Sequence, residues 1–322
     1  MPEQSRSCGE RQPPGYAIGI DLGGTKIAAG LVGLDDGRVL ARRLQPTAPE
    51  RGGEAVLHDV LAMAQALAAD AAALGCALNA IGLGVPELVD GQGRVLSGET
   101  IRWQQLDISM RLTDATRLPT FVEADVRAAA RAEGRWGAAV AHDPFVYVTI
   151  GTGISCCLMV NQTPFLGARG MTGSCGSGRC LIPTDDGLVA GGPPLEQFAA
   201  GPALVRRFAQ RMPGFKGTAV EVIAAAQAGN AQALEVVMTG GAASGAAIAQ
   251  LVNILDPAVV VIGGGLGLCL GMYRDALLET ARRQIWSDLH RELPIVSAAL
   301  GTDAGWIGAA LAAAQQQGII HG

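Results

Sequence analysis

The sequence predicts an α/β protein built from two related lobes with a cleft between them. Three observations carry that expectation. A strand–strand–strand–helix pattern opens the chain, and a strand–glycine–strand pattern resumes after Phe145. Three glycine turns each follow directly on an apolar run of strand length. With 322 residues, 49% of them apolar, the chain has enough material for two cores of ordinary size.

Taken in order, residues 16–20 form an apolar run ending at Asp21 and a glycine pair, and 27–33 form a second. Asp35-Asp36-Gly37 reads as a turn into a third strand at 38–44, giving an antiparallel meander. The Ala/Leu-rich stretch 54–74 predicts a helix stopped by Gly75. A buried strand follows at 80–85 and ends at Pro86, then a brief strand at 121–123 and a helix over 126–136. In the second half, strands are predicted at 145–150, 155–160, 258–262 and 294–299. Helices are predicted at 194–212, 219–228, 231–255, 272–287 and 304–317. The resulting division is a loose tail at 1–15, a small lobe at 16–125, a large lobe at 126–302, and a last helix at 303–322 returning to the small lobe.

Bulk properties narrow the function. A net charge of −5 offers no general attraction for nucleic acid. The seven cysteines are odd in number and irregularly spaced, which reads as reduced thiols in the cytoplasm rather than a disulfide framework. The apolar runs are interrupted by Gly, Asp or Pro, so no transmembrane span is expected. Trp103, Trp136, Trp286 and Trp306 read as core or interface residues.

The glycine turns carry chemistry. In Asp21-Leu22-Gly23-Gly24-Thr25-Lys26, bare glycines let backbone N–H groups approach an anion, Thr25 adds a hydroxyl and Lys26 a positive charge. A carboxylate such as Asp21 beside phosphates is repulsive unless it handles a cation, and Mg²⁺, held directly or through water, is the natural one. Gly151-Thr152-Gly153 repeats the device, and Gly263-Gly264-Gly265 supplies a third turn with room for a flat ring against bare backbone. Each alone is equally a simple turn. None matches the P-loop or the dinucleotide-binding fingerprint.

These motifs form a recognisable series: Asp21 to Lys26, Ile81-Gly82-Leu83-Gly84-Val85-Pro86, Gly151-Thr152-Gly153-Ile154, Leu195-Glu196-Gln197-Phe198-Ala199-Ala200-Gly201, Val261-Ile262-Gly263-Gly264-Gly265 and Asp303-Ala304-Gly305-Trp306-Ile307-Gly308. The series resembles the ROK family of bacterial sugar kinases and related repressors, over residues 16–313. The resemblance implies the two-lobed actin/hexokinase/Hsp70-like ATPase fold, an interlobe site, ATP with Mg²⁺ as cofactors, a primary hydroxyl as phosphate acceptor and a homodimer. It places Asp21, Gly23, Gly24, Thr25 and Lys26 in the first phosphate loop, Gly151, Thr152 and Gly153 in the second, and Gly263, Gly264 and Gly265 on the adenosine side.

The resemblance also makes Asp125 the general base. A hydroxyl is a poor nucleophile at neutral pH, and a positioned carboxylate can take its proton as the bond to the γ-phosphate forms. Without the resemblance, Asp125 reads as a helix N-cap. Around the acceptor the chain departs from the family pattern. Ala124 stands where relatives carry Asn, and Ser174 and Ser177 replace the Glu and His of a Glu-x-Gly-His signature within 167–177. The cysteine positions of a structural zinc site fall on Gly187, Val189 and Pro194, so no structural zinc is expected. Glu196 remains, and by resemblance it reaches sugar hydroxyls; Thr100, in the loop before Trp103, is a further contact.

The phosphate-handling groups are kept and the acceptor-reading groups are changed, which alters the substrate more than the reaction. The expected function is an ATP-dependent kinase of a hexose-like or carbocyclic C7-cyclitol acceptor. The alternatives are a conventional glucokinase or N-acetylhexosamine kinase, a sugar-binding pseudokinase, and a non-catalytic sugar sensor. Family repressors carry an N-terminal helix-turn-helix, and the stretch before Tyr16 is too short for one. The expected partners are a small-molecule sugar or cyclitol, with no nucleic acid and no membrane.

Overall fold

The computed structural model describes residues 15–103, 106–183 and 189–320. In chain order the first half holds β1 (Tyr16–Leu22), β2 (Lys26–Gly33), β3 (Val39–Pro46), α1 (Gly53–Ala73), β4 (Leu78–Val85), α2 (Ile108–Thr116), β5 (Thr120–Ala124) and α3 (Asp125–Trp136). The second half holds β6 (Phe145–Ile150), β7 (Ile154–Val160), β8 (Thr163–Pro164), β9 (Arg179–Pro183) and β10 (Val189–Pro194). It continues with α4 (Leu195–Ala199), α5 (Gly201–Arg211), α6 (Ala219–Gln227) and α7 (Ala231–Leu255). Then come β11 (Val259–Gly263), α8 (Met272–Gln284), α9 (Asp288–Arg291), β12 (Ile295–Ser297) and α10 (Ala304–Gln316).

Two five-stranded sheets share one topology. The first has the order β3-β2-β1-β4-β5 and the second β12-β11-β6-β7-β8. In each, three strands form an antiparallel meander and two more add in parallel beyond its first strand. β9 and β10 form a separate two-stranded ribbon.

Strand alternation sets the layers, because successive side chains point to opposite faces. Ile18 and Ile20 of β1 pack with Leu57, Val60 and Leu67 of α1. On the other face, Ala17 packs with Trp306, Ile307 and Ala310 of α10. Phe145 and Tyr147 of β6 face Val126 and Ala129 of α3. Val146 and Val148 face the opposite way, into a core with Val236 and Ile248 of α7 and Leu277 of α8. The order of layers is therefore α1, first sheet, the pair α10 and α3, second sheet, then α7 with α8.

The middle layer is drawn tight by glycines. A Cβ on Gly19 of β1 would lie 1.8 Å from the Trp306 carbonyl oxygen, and one on Gly82 of β4 1.7 Å from that of Ala309. A Cβ on Gly308 of α10 would lie 1.6 Å from the Ala128 carbonyl oxygen of α3. No larger residue fits at these crossings.

Several elements differ from the sequence expectation for physical reasons. The helix expected over 194–212 is two helices, because Ala200 is extended (φ −72, ψ 163) and Pro202 starts α5. The helix expected over 272–287 ends at Gln284, where Ile285 turns extended and buries its side chain. α2 and the β9–β10 ribbon were not expected. α2 carries a cap signal, since the Asp107 side chain accepts from the Met110 N–H, but only Ile108 and Leu112 of it are buried. α1 and α7 are long and apolar enough to cross a membrane by length and composition. Both nevertheless supply residues to the cores described above. Trp103 and Trp306 are buried, whereas Trp286 is 86% exposed.

Candidate active site

The C-terminal ends of β1, β4 and β5 bring two carboxylates together. Asp21 is the sixth residue of β1, and Asp125 opens α3 directly after β5. Gly84 of β4 lies between them: a Cβ there would stand 3.6 Å from Asp21 Oδ1 and 3.7 Å from the Asp125 Cα. Asp21 is pushed up to about 7, by burial first and by Asp125 second, with Lys26 acting against the shift. Asp125 is pushed up to about 6, by burial first. The Val126 N–H and the Arg127 charge oppose that rise, and Glu87 and Glu196 add to it. Asp125 is not the N-cap of α3. That position is Ala124, which offers no side-chain cap, and Asp125 Oδ1 accepts the adjacent Val126 N–H at 2.6 Å.

The first glycine loop joins β1 to β2. The Gly23 N–H donates to the Lys26 carbonyl at 2.9 Å, and the side chains of Thr25 and Lys26 are exposed. Thr47, fully buried, pins the loop from β3's end: its hydroxyl donates to the Gly23 carbonyl at 2.6 Å, and its N–H to that of Thr25 at 3.0 Å. Thr100 packs against this loop, its Cγ2 3.1 Å from where a Gly24 Cβ would be. Asp21 also lies against the start of α10, since a Cβ on Gly305 would be 2.5 Å from Asp21 Oδ2.

The second and third glycine turns adjoin each other. A Cβ on Gly151 would lie 3.6 Å from the Gly265 nitrogen, and the Leu266 and Gly267 N–H groups donate to the Ile150 carbonyl at 3.0 and 2.9 Å. Gly264 has φ +79, and a Cβ on it would sit 2.5 Å from the Ile150 carbonyl oxygen. A Cβ on Gly263 would strike the Tyr147 hydroxyl at 1.9 Å. Gly263 and Gly264 are thus glycine because β6 passes directly behind them, whereas Gly265 faces open space.

Glu196 is tied to the second turn. Its Oε2 accepts the Ile154 N–H at 3.0 Å, and the absence of a Cβ on Gly153 makes room for the carboxylate. It reaches the cleft as well, being near enough to raise Asp125. Ser174 takes the N-cap position of a 3-10 turn at Cys175–Ser177 and Ser177 ends it, and both are exposed. Among the described residues no hydrogen bond links either hydroxyl to Asp125.

Two buried residues escaped the sequence reading. Glu87, 7% exposed, accepts the N–H groups of Glu99, Thr100 and Ile101 at 3.1, 2.8 and 3.0 Å, and the Ser97 hydroxyl at 2.5 Å. It therefore sets the loop that carries Thr100. Arg127, 2% exposed, pairs through Nε with Glu123 Oε1 at 2.6 Å and donates to two loop carbonyls. Glu87 follows the Val85-Pro86 strand end, which is a signal that sequence alone offered; Arg127 showed none beyond its place two residues after Asp125.

Among the described residues no three His, Cys, Asp or Glu side chains converge to hold a metal ion. Of the positions matched to a zinc site, Gly187 lies outside the described residues. A cavity of about 310 Å³ is lined by Cys175, Cys180, Leu195, Ala243 and Gln284, among others; it adjoins the Cys175–Ser177 turn but includes neither carboxylate and none of the three glycine turns.

Comparison with known proteins bears on the family and the fold. The family model described as "ROK family" matches residues 17–316. A glucokinase of Streptomyces coelicolor is 30% identical over 321 residues, covering 92% of this chain and 96% of its own. A ROK hexokinase structure from Thermus thermophilus is similar at TM-score 0.77 and 35% identity, covering 94% of this chain and 99% of its own. A ROK glucokinase from Streptomyces griseus, solved with glucose and AMPPNP, is similar at TM-score 0.78 and 29% identity, covering 94% and 100%. The two sheets of equal topology are those of the actin/hexokinase-like ATPase fold, and the chain belongs to the ROK family.

Proposed function

We propose that this protein is an ATP-dependent kinase that phosphorylates a primary hydroxyl of a sugar or sugar-like polyol. The observation that carries it is the pairing of Asp21 and Asp125 across Gly84, with Glu196 from the second lobe close enough to act on Asp125. The residues fit ATP with Mg²⁺. Gly265 leaves open space beside Gly151, and Asp21 is a carboxylate crowded by another and in need of a cation. The cofactor supplies the transferable phosphoryl group and a cation that neutralises its charge.

The chain's own residues would do the rest. The N–H groups of residues 24–26 and 152–153 would cradle phosphates, while those of Gly23 and Gly151 close the turns onto the Lys26 and Gly153 carbonyls; Lys26 lies at the rim, and Gly265 with its neighbours lines the nucleoside side. Asp125 orients the acceptor hydroxyl and takes its proton. Its pKa of about 6 leaves it ionised at neutral pH yet more basic than an ordinary carboxylate. Burial is the main reason for the rise.

On the acceptor side, Ala124 brings no polar group and Ser174 and Ser177 bring only small hydroxyls. Glu196 already holds the Ile154 N–H with one oxygen, leaving the other for a hydroxyl. That set suits an acceptor lacking the usual anomeric region, and we favour a carbocyclic C7-cyclitol over glucose or an N-acetylhexosamine. Acceptor-dependent ADP release across hexoses, N-acetylhexosamines and C7-cyclitols tests this choice. Highest kcat/KM on a cyclitol is expected; highest kcat/KM on glucose would make the protein a conventional glucokinase.

A further inference from the structure

Among the described residues, Arg127 is the one buried arginine in contact with both the small-lobe turn after β4 and the glycine-rich segment that follows β8. Its Nη2 donates to the Val89 carbonyl at 2.7 Å and its Nη1 to the Gly170 carbonyl at 3.2 Å. Its Nε faces Glu123 Oε1 at 2.6 Å, and the second Glu123 oxygen is shared with Arg131 at 3.3 Å. The two side chains are 3% and 4% exposed.

The segments it joins touch directly. Gly170 has φ +73, and a Cβ on it would lie 2.7 Å from the Asp90 Cα and 2.8 Å from the Val89 carbonyl oxygen. One turn further along, a Cβ on Gly91 would meet Leu166 Cδ1 at 3.2 Å. The opposing turn is itself firm, because Asp90 Oδ1 accepts the Gln92 and Arg94 N–H groups at 2.8 and 2.9 Å. The contact with Glu123 is an ion pair in which the Nε–H is not aligned as a hydrogen bond. The planar fork spends its other donors on carbonyls 38 and 43 residues away in sequence.

We propose that Arg127 is a positioning residue that clamps residues 166–170 onto the turn at 89–94, and so fixes the wall that holds the acceptor hydroxyl against Asp125. This rests on the kinase reading above, in which Ser174 and Ser177, from the segment 167–177, lie on the acceptor side. Asp125 and Arg127 lie on one turn of α3, so the base and the wall share a single rigid support. The phosphate loops are held by other groups, namely Thr47 and Glu196. Loosening the clamp therefore acts on the acceptor and spares ATP.

The test compares wild type with Arg127→Met, Arg127→Lys and the double variant Glu123→Gln/Arg127→Met. The double variant removes both charges together and leaves no unpaired buried carboxylate. Steady-state kinetics and hydrogen–deuterium exchange are read on each. Acceptor kcat/KM is expected to fall about 10²-fold through misplacement of the acceptor. Acceptor KM carries part of that loss, while ATP KM stays within about twofold. Arg127→Lys keeps the charge without the fork and falls between. Amide exchange is expected to rise at residues 166–173 while β1, β4 and α7 stay protected. Equal changes in both KM values, or unchanged exchange at 166–173, would overturn the clamp. Should wild type turn over no acceptor, the kinase reading fails, and exchange at 166–173 alone decides the clamp either way.

Discussion

Two carboxylates with raised pKa values lie together at the ends of β1 and β5, and in the proposed reaction they do different work. Asp125 sits at the head of α3 with a single backbone donor, free to take a proton. Replacing it by Asn removes the base and keeps the shape. A loss of about 10²–10⁴-fold in kcat is expected, with ATP KM little changed. In wild type, kcat/KM for the acceptor should fall as pH drops through about 6, the value at which Asp125 protonates. Asp21 is a stability statement too. A carboxyl raised from 3.8 to about 7 binds a proton more readily folded than unfolded, so folding stability falls as pH rises through that window. Asp21→Asn, measured by thermal unfolding without nucleotide, should therefore exceed wild type in Tm at pH 8. The gap should close near pH 4. A gap that widens toward acid would show the opposite shift.

Asp21 stood out in the sequence as a candidate because it ends an apolar strand run at a turn, whereas the base role of Asp125 came only from the family resemblance. Asp21, the 23–26 loop and Gly151 to Gly153 needed only that local pattern. Glu87 and Thr47 were not legible, since their roles consist of bonds to carbonyls or N–H groups that only the folded chain brings near. Glu196 was legible as a candidate, but not its bond to the Ile154 N–H, which spans 42 residues.

At the scale of elements, the layer between the sheets depends on α10 meeting β1, β4 and α3 without intervening side chains. The last helix could be read from its Ala-rich composition. Its depth could not, because Gly19, Gly82 and Gly308 look like any strand or helix glycine until their partners are known. Gly82→Ala should cost about 3 kcal/mol or more by overpacking against the Ala309 carbonyl, read by denaturant unfolding. Gly265→Ala, whose Cβ meets nothing within 4 Å, should leave stability unchanged and raise ATP KM. The pair separates glycines that serve packing from those that leave a ligand face bare. The sequence treated Gly263, Gly264 and Gly265 as one motif, whereas β6 explains the first two. The break at Ala200 was missed because 194–212 has helical composition throughout, and only Pro202 marks the new start.

At the scale of the molecule, one topology occurs twice, and in each copy the first strand runs into a glycine turn. The repeat was visible in the sequence as recurring strand–glycine–strand runs, since strand length and turn chemistry are local. The relation between lobes was not, because α3 and α10 pack against both sheets or across them. The central claim is that the candidate site transfers a phosphoryl group from ATP to an acceptor hydroxyl under control of Asp125. Acceptor-dependent ADP release by wild type and Asp125→Asn, assayed side by side with Mg²⁺, tests it most directly. Turnover by wild type that falls at least about 10²-fold in Asp125→Asn is the predicted result; equal rates in the two proteins, or no acceptor-dependent ADP release by wild type, would contradict it.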